Sequence, residues 1–328
     1  MRCGGKAMQS SLKKLLNVGK RLYEIPKNRL LNFIDPPANV LLYHRVTDLP
    51  SDPLALAVSP AHFREQILFL KERFHVRRFE EPWFPGPSAL VSFDDGYADN
   101  VLEALPILEE VGVPAIFFIS TGTIGSDREY WWDDLERLIL LPEKLPERFL
   151  LDDPEFAAFW PTKEAEQRRT FYQEMQALMK RIGFSRREEW LAQLREWSGL
   201  GAAGRPTHRP MSLQELKHLA SSPWVTIGAH TITHTRLSNL TSEEQEREII
   251  GSRNQLEAWL GETVPFFSYP FGDREDYGPQ TVEICRRHFA KTASTLWRQA
   301  HSWNENQQLP RLFVGDWPGQ SLARKCMR

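Results

Sequence analysis

Two adjacent carboxylates end an apolar run in Leu90-Val91-Ser92-Phe93-Asp94-Asp95-Gly96. Neighbouring side chains on a regular strand point to opposite faces, so Asp94 and Asp95 serve one site only where the strand stops and the backbone turns. Gly96 permits that turn. Taken alone, Asp-Asp-Gly is more often an Asx-type turn than a catalytic pair. A second apolar run, residues 224–229, ends at His230, and His234 follows four residues later. That spacing predicts both imidazoles on one face of a helical turn. Two histidines and a carboxylate form a ligand set for a divalent metal, although paired surface histidines are common by themselves. Position joins the two signals: both clusters fall just after predicted strands, at the carboxyl end where parallel α/β barrels carry their sites.

The blocks Phe93-Asp94-Asp95-Gly96, His230-Thr231-x-x-His234 and Tyr269-Pro270-Phe271-Gly272 occur in the order found in polysaccharide deacetylases of the NodB-homology type, carbohydrate esterase family four. The chain resembles that family over roughly residues 38–125 and 210–315. The resemblance implies a metal-dependent hydrolase that removes N-acetyl groups from amino sugars. By motif it makes Asp94 the general base and Asp95, His230 and His234 the metal ligands. Zinc is the first choice, and the ligand set also admits cobalt, nickel or manganese. Tyr269, Pro270 and Phe271 would then line the substrate side, with a backbone N–H around Phe271 helping to hold the tetrahedral oxyanion.

The family's L-x-H block, whose histidine is the general acid, stands here as Leu42-Tyr43-His44 on the first predicted strand instead of near the C-terminus. This placement resembles the permuted branch, which includes exopolysaccharide poly-N-acetylglucosamine deacetylases, and makes His44 the candidate acid. The competing reading is a strand-end histidine bonded to a backbone carbonyl. His208 and His301 are rivals without the L-x-H context. In one departure, the family's third block often carries an arginine that pairs with the base, whereas this chain has Ser268 before Tyr269-Pro270. Serine cannot supply that charge, so Arg311 either substitutes from the last predicted strand or makes a surface ion pair. Trp131 and Trp132 are expected near the barrel mouth, as a sugar-stacking platform or as an anchor for the helix-rich segment after them.

The elements that must position these residues are legible as apolar runs at 39–46, 88–96, 113–120, 224–230, 264–272 and 289–295, with a weaker seventh at 309–315. Helical periods cover 60–73, 98–111, 242–260 and 279–288. Alternation of the two predicts a distorted (β/α) barrel of about seven parallel strands, spanning 38–320. Residues 127–222 break the rhythm and are rich in helix formers, which predicts a helical insertion acting as a lid or subdomain.

Of the 328 residues, 41 are Lys or Arg and 43 Asp or Glu, a balance that gives no support to a nucleic-acid partner. The three cysteines, Cys3, Cys285 and Cys326, are scattered and suggest neither a disulfide framework nor a thiolate metal site. No signal-like stretch opens the chain and no run nears the ~20 apolar residues of a membrane span, which predicts a cytoplasmic protein. Within the N-terminal segment 1–37, Leu12, Leu15, Leu16, Val18 and Leu22 alternate with Lys13, Lys14, Lys20 and Arg21. A basic amphipathic helix there would lie on an anionic membrane or pack on the domain. Two alternatives to a polymer deacetylase stay open: a deacetylase or deformylase of a lipid-linked sugar, and a non-catalytic carbohydrate-binding homologue.

Overall fold

The computed structural model describes residues 35–84, 87–296 and 298–326. The amphipathic helix expected near the N-terminus lies outside them. Among the described residues, no helix is long and apolar enough to cross a membrane.

The apolar runs form strands β1 (Ala38–Tyr43), β2 (Ser88–Phe93), β3 (Ala115–Ile119), β4 (Val225–Ala229), β5 (Phe266–Ser268), β6 (Lys291–Ala293) and β7 (Leu312–Phe313). They lie in the order β6-β5-β4-β3-β2-β1-β7 with every neighbouring pair parallel. A two-residue strand, His75–Val76, pairs alongside β2. The sheet curls into a half-barrel, and a parallel bridge from Ala293 to Leu309 ties β6 to the stretch leading into β7. The expected distorted barrel of parallel strands is therefore present.

Both faces of the sheet are covered, which is why the runs are continuously apolar instead of alternating. Leu41, Tyr43, Val91, Phe93, Phe117 and Ile119 face a core shared with the helices. Val40, Leu90, Ile116, Phe118 and Phe266 fill the curl. The predicted helices appear as α1 (Pro60–Arg73), then a wide turn at Asn100–Ala104 leading into α2 (Leu105–Val111). The stretch expected as an insertion holds α3 (Trp131–Leu135), α4 (Ala165–Met179), α5 (Phe184–Ser198) and α6 (Leu213–Ala220). It also holds an antiparallel hairpin, Arg148–Leu151 with Ala158–Pro161, that the helix-former content hid. Leu138, Phe149, Trp160, Phe171, Met175 and Trp190 give this stretch a core of its own. The remaining helices are α7 (Ser242–Leu260), α8 (Pro279–His288) and α9 (Gly319–Cys326).

Register decides what the strand ends present. Tyr43 pairs with Phe93, so His44 and Asp94 emerge side by side. Phe267 pairs with Ala229, which sets Ser268 beside His230. Inside the curl, side-chain alternation puts Ser92 and Asp94 on the face occupied by Leu90, so the apolar interior turns polar at its upper end.

Close packing inside the curl gives a direct test. A Cβ on Gly228 would stand 2.4 Å from Cδ1 of the buried Phe118 and 3.3 Å from the Phe266 carbonyl oxygen. Gly228→Ala should cost about 1–3 kcal/mol of stability through overpacking. An unchanged denaturant midpoint would show that the interior has slack that this geometry denies.

Candidate active site

Asp94 is 3% exposed and meets Arg311, which is fully buried. The contact is bidentate: Nη1 donates to Oδ1 at 2.7 Å and Nη2 to Oδ2 at 2.6 Å. Nη2 also donates to Ser268 Oγ at 2.7 Å, and that hydroxyl donates to Asp94 Oδ2 at 3.2 Å. Nε of Arg311 donates to the Ser294 carbonyl, and Nη1 reaches Ser92 Oγ. Of the two roles left open for Arg311, the surface ion pair is excluded. Ser268, which sequence reasoning dismissed for lacking charge, bridges the two partners. Burial alone would raise the Asp94 carboxyl, but Arg311, then His230, hold it below its ordinary value.

Asp95 follows in a left-handed conformation, φ 79°, and Gly96 continues it at φ 94°. An aspartate there is strained. Its carbonyl is held by the Ser120 N–H at 3.1 Å and the Tyr130 hydroxyl at 2.6 Å. The turn sends Asp95 Oδ1 to within 3.5 Å of His230 Nε2 and 3.3 Å of His234 Nε2. His230 Nδ1 lies 2.7 Å from the Ser268 carbonyl oxygen, so it carries the ring proton and leaves Nε2 a bare acceptor. Asp95 Oδ1 is buried with no hydrogen-bond partner. Two acceptors face to face without a donor fit a cation between them. One donor atom from each of Asp95, His230 and His234 lies within 4.8 Å of the others, a group that fits a divalent metal.

The pair of histidines is not presented by a helical turn, as the four-residue spacing predicted. Residues 230–236 form an irregular bend, with Thr231 at φ 65° and His234 at φ 49°. Left-handed backbone at two positions does what one helical turn would have done, and the spacing carried no sign of it.

A cleft of about 290 Å³ opens over this group, lined by His44, Asp94, Asp95, His230, His234 and Phe271 among others. The volume lies at the small end of ligand clefts. Burial lowers the His44 pKa, against the pull of Asp95 and Asp94. His208 lies apart, in a separate small cavity beside Arg45 and Asp133, and burial pushes it down to about 3. His301 stacks on Trp303 outside the cleft. Neither rival reaches the group.

Phe271, at φ 61°, lines the cleft and sets its ring 4.7 Å from that of His234. Tyr269 does not line it, contrary to expectation. Its ring stacks on Tyr277 at 4.0 Å and its hydroxyl donates to the Gln307 carbonyl, because strand alternation turns it toward the helices and Ser268 toward the curl. Pro270 is likewise buried and off the lining. Trp131 and Trp132 do line the cleft, but each is only 4–6% exposed, too covered for an open stacking platform. Trp132 packs edge-on against His234 and donates from Nε1 to the Tyr97 hydroxyl, whereas Arg187 lies over Trp131. The anchoring role is the one their burial supports. Sequence reasoning missed Gln176 of α4 and Lys180 at its C-terminal end, which complete the wall one turn apart.

The family model for polysaccharide deacetylases matches residues 84–140 and 196–288 and passes over 141–195. No curated protein sequence matches the chain significantly. Among solved structures, a polysaccharide deacetylase from Bacillus cereus is similar at 18% identity and TM-score 0.58, covering 89% of this chain and 69% of that one. The Streptococcus pyogenes deacetylase PplD, solved in complex with acetate, is similar at 16% identity and TM-score 0.58, covering 89% and 99%. A de-N-acetylase from Aggregatibacter actinomycetemcomitans gives 14% identity and TM-score 0.54, covering 88% and 99%. At these identities the likeness carries the fold.

Behind the site, the Tyr97 hydroxyl donates to Asp133 Oδ2 at 2.7 Å. Burial, against the nearby Arg45, pushes the Asp133 carboxyl up to about 8. Between an ordinary value of about 4 and that pKa, the folded protein keeps a proton that the unfolded chain has lost. The stability Asp133 lends is thus fully present below about pH 4 and declines as pH rises through 8. Asp133→Asn should flatten that decline in urea melts run from pH 5 to 9. A variant whose pH profile stays parallel to the parent's would rule the protonated carboxyl out.

Proposed function

We propose that this chain, which the polysaccharide deacetylase family model matches over residues 84–140 and 196–288, hydrolyses the N-acetyl group of an amino sugar, with Asp94 as base, His44 as acid and Asp95, His230 and His234 as metal ligands. The observation that carries this is the buried Asp-His-His group standing beside a carboxylate already neutralised by Arg311. A divalent ion held there, zinc by first choice, would polarise the acetamide carbonyl and lower the pKa of the attacking water.

The chain's own residues do the rest. Asp94, kept ionised by Arg311, accepts the proton of the water as its oxygen bonds to the carbonyl carbon. The bidentate contact also fixes both carboxylate oxygens, so the base cannot swing into the ligand position of Asp95. As the C–N bond breaks, His44 delivers a proton to the departing nitrogen, releasing acetate and a free amine. The adjacency of His44 and Asp94 just past the ends of β1 and β2 supports this division, because it lets acid and base act on the same bound amide. It also supports the permuted reading, in which the L-x-H block opens the domain. The lining by Leu42 and Phe313 offers the acetyl methyl an apolar contact. An N-acetylated glycan is the substrate that the family match implies.

Two substitutions at neighbouring positions separate base from ligand. Asp94→Asn should lose most of the rate, on the order of 10²-fold or more, yet retain metal by elemental analysis. Asp95→Asn should lose metal as well. Equal metal loss in both would end the assignment.

His44 is tested through the leaving group. His44→Ala should slow hydrolysis of an unactivated acetamide by on the order of 10²-fold, and an activated ester far less, because only the amine must be protonated to depart. Equal losses on both substrates, with metal retained, would place the acid elsewhere.

A further inference from the structure

The bend that carries His234 is held on both sides of Thr233. On one side, the N–H groups of Ile232 and Thr233 each donate to Glu248 Oε2 at 2.9 Å, and the Thr233 hydroxyl donates to Oε1 at 2.9 Å. On the other, Arg187 Nη2 donates to the Thr233 carbonyl at 3.0 Å and reaches Thr235 Oγ1 at 3.5 Å. Glu248 comes from α7. Arg187 comes from α5, inside the segment that the family model passes over.

Arg187 is an expensive residue to place there. It is 2% exposed, and among the described residues no carboxylate lies within ion-pair distance of it. A guanidinium taken out of water without a directly paired counter-ion costs several kcal/mol. What it gains is the Thr233 carbonyl, the face of the Trp131 ring 5.3 Å away, and the attraction of Glu188 and Glu248 from beyond ion-pair distance. None of these offsets so large a penalty, which points to a use beyond stability. The next residue after its carbonyl partner is His234, whose left-handed backbone has its own cost of about 1–3 kcal/mol and persists only where neighbours over-determine it. Glu248 and Arg187 are those neighbours, one at the N–H of Thr233 and one at its carbonyl. The junction of α4 and α5 grips adjoining loops in the same way: Asn239 donates to the Arg181 carbonyl at 2.8 Å, and Lys180 pairs with Asp276 at 2.9 Å.

We infer that Arg187 is a positioning residue for His234: with Glu248 it clamps the backbone on both sides of the Thr233 Cα so that the His234 ring nitrogen is aimed at Asp95, making the segment 141–195 part of the metal-holding apparatus. This rests on the reading that Asp95, His230 and His234 bind the metal. The full chain is stripped with chelator and titrated with zinc and with cobalt, as parent, Arg187→Met, Arg187→Lys, Glu248→Gln and His234→Ala, with melting curves confirming the fold. Arg187→Met should weaken zinc binding by about 10–100-fold, the range for outer-shell partners, and shift the cobalt ligand-field bands. Arg187→Lys, which keeps a donor for the Thr233 carbonyl, should recover most of the affinity, a rescue that general destabilisation would not produce. If Arg187→Met does not fold, Glu248→Gln reads the same clamp from its other edge, with a loss of zinc affinity expected and parent-like binding overturning the inference. Folded Arg187→Met with parent-like zinc affinity and an unmoved cobalt spectrum also overturns it, while His234→Ala losing metal leaves the underlying reading intact. Should His234→Ala bind zinc as the parent does, the ligand assignment itself fails and takes the inference with it.

Discussion

A charged pair with almost no contact with water sits at the upper end of the curled sheet, and the site is arranged around it. Removing Asp94 and Arg311 from solvent costs more than their attraction alone returns unless the remaining polar atoms are also satisfied. Here they are: Ser92, Ser268 and the Ser294 carbonyl take up hydrogen bonds of the guanidinium, and Ser268 returns one to the carboxylate. These partners come from β2, from β5 and from beside β6, and Arg311 itself precedes β7. The pair therefore fixes the curl of the sheet at the height where the reactive side chains emerge. A carboxylate held this way keeps its charge and its orientation but has little freedom to move.

Once Asp94 is anchored, the adjacent Asp95 has to point elsewhere, and the chain achieves this by strain. Of the five non-glycine residues with positive φ among the described residues, Asp95, Thr231, His234 and Phe271 belong to the site, and the fifth, Ala55, lies between the cleft residues Leu54 and Leu56. Such residues persist where their carbonyls and N–H groups are bonded on several sides. Asp95 is held by Ser120 and Tyr130, and the 230–236 bend by Glu248 and Arg187. Two carboxylates adjacent in sequence thereby acquire different surroundings, a guanidinium for one and two imidazoles for the other.

This arrangement explains what the sequence could and could not reveal. Strand runs were legible because both faces of the sheet are buried, and Asp94, Asp95, His230 and His234 were legible because short blocks of fixed spacing carry them. The bidentate contact between Arg311 and Asp94 was only one of two options from sequence, since 217 residues separate the partners and no local pattern records the pairing. Tyr269 and Pro270 were assigned to the substrate by membership of a block, yet strand alternation sends Ser268 to the site and Tyr269 to the core. The hairpin at 148–161 was missed because its strands are four residues each and lie between helix-forming stretches. Arg187 had no signal at all: one arginine in a helix rich in charge looks like any solvated residue until its burial is known.

The same burial argues against treating residues 127–222 as a lid that swings over the cleft. A lid must open at low cost, and such segments have few buried contacts of their own. This stretch instead has an aromatic core, and Tyr97, two residues after Asp95, belongs to that core. Trp132 packs on His234 from the same side, so lifting the stretch would strip a wall from the ligand group. Access to the cleft is then governed by the fixed shape of a wall carrying Gln176 and Lys180. That wall is built from residues the polysaccharide deacetylase family model passes over, so its shape is set separately from Asp94, Arg311 and the 230–236 bend.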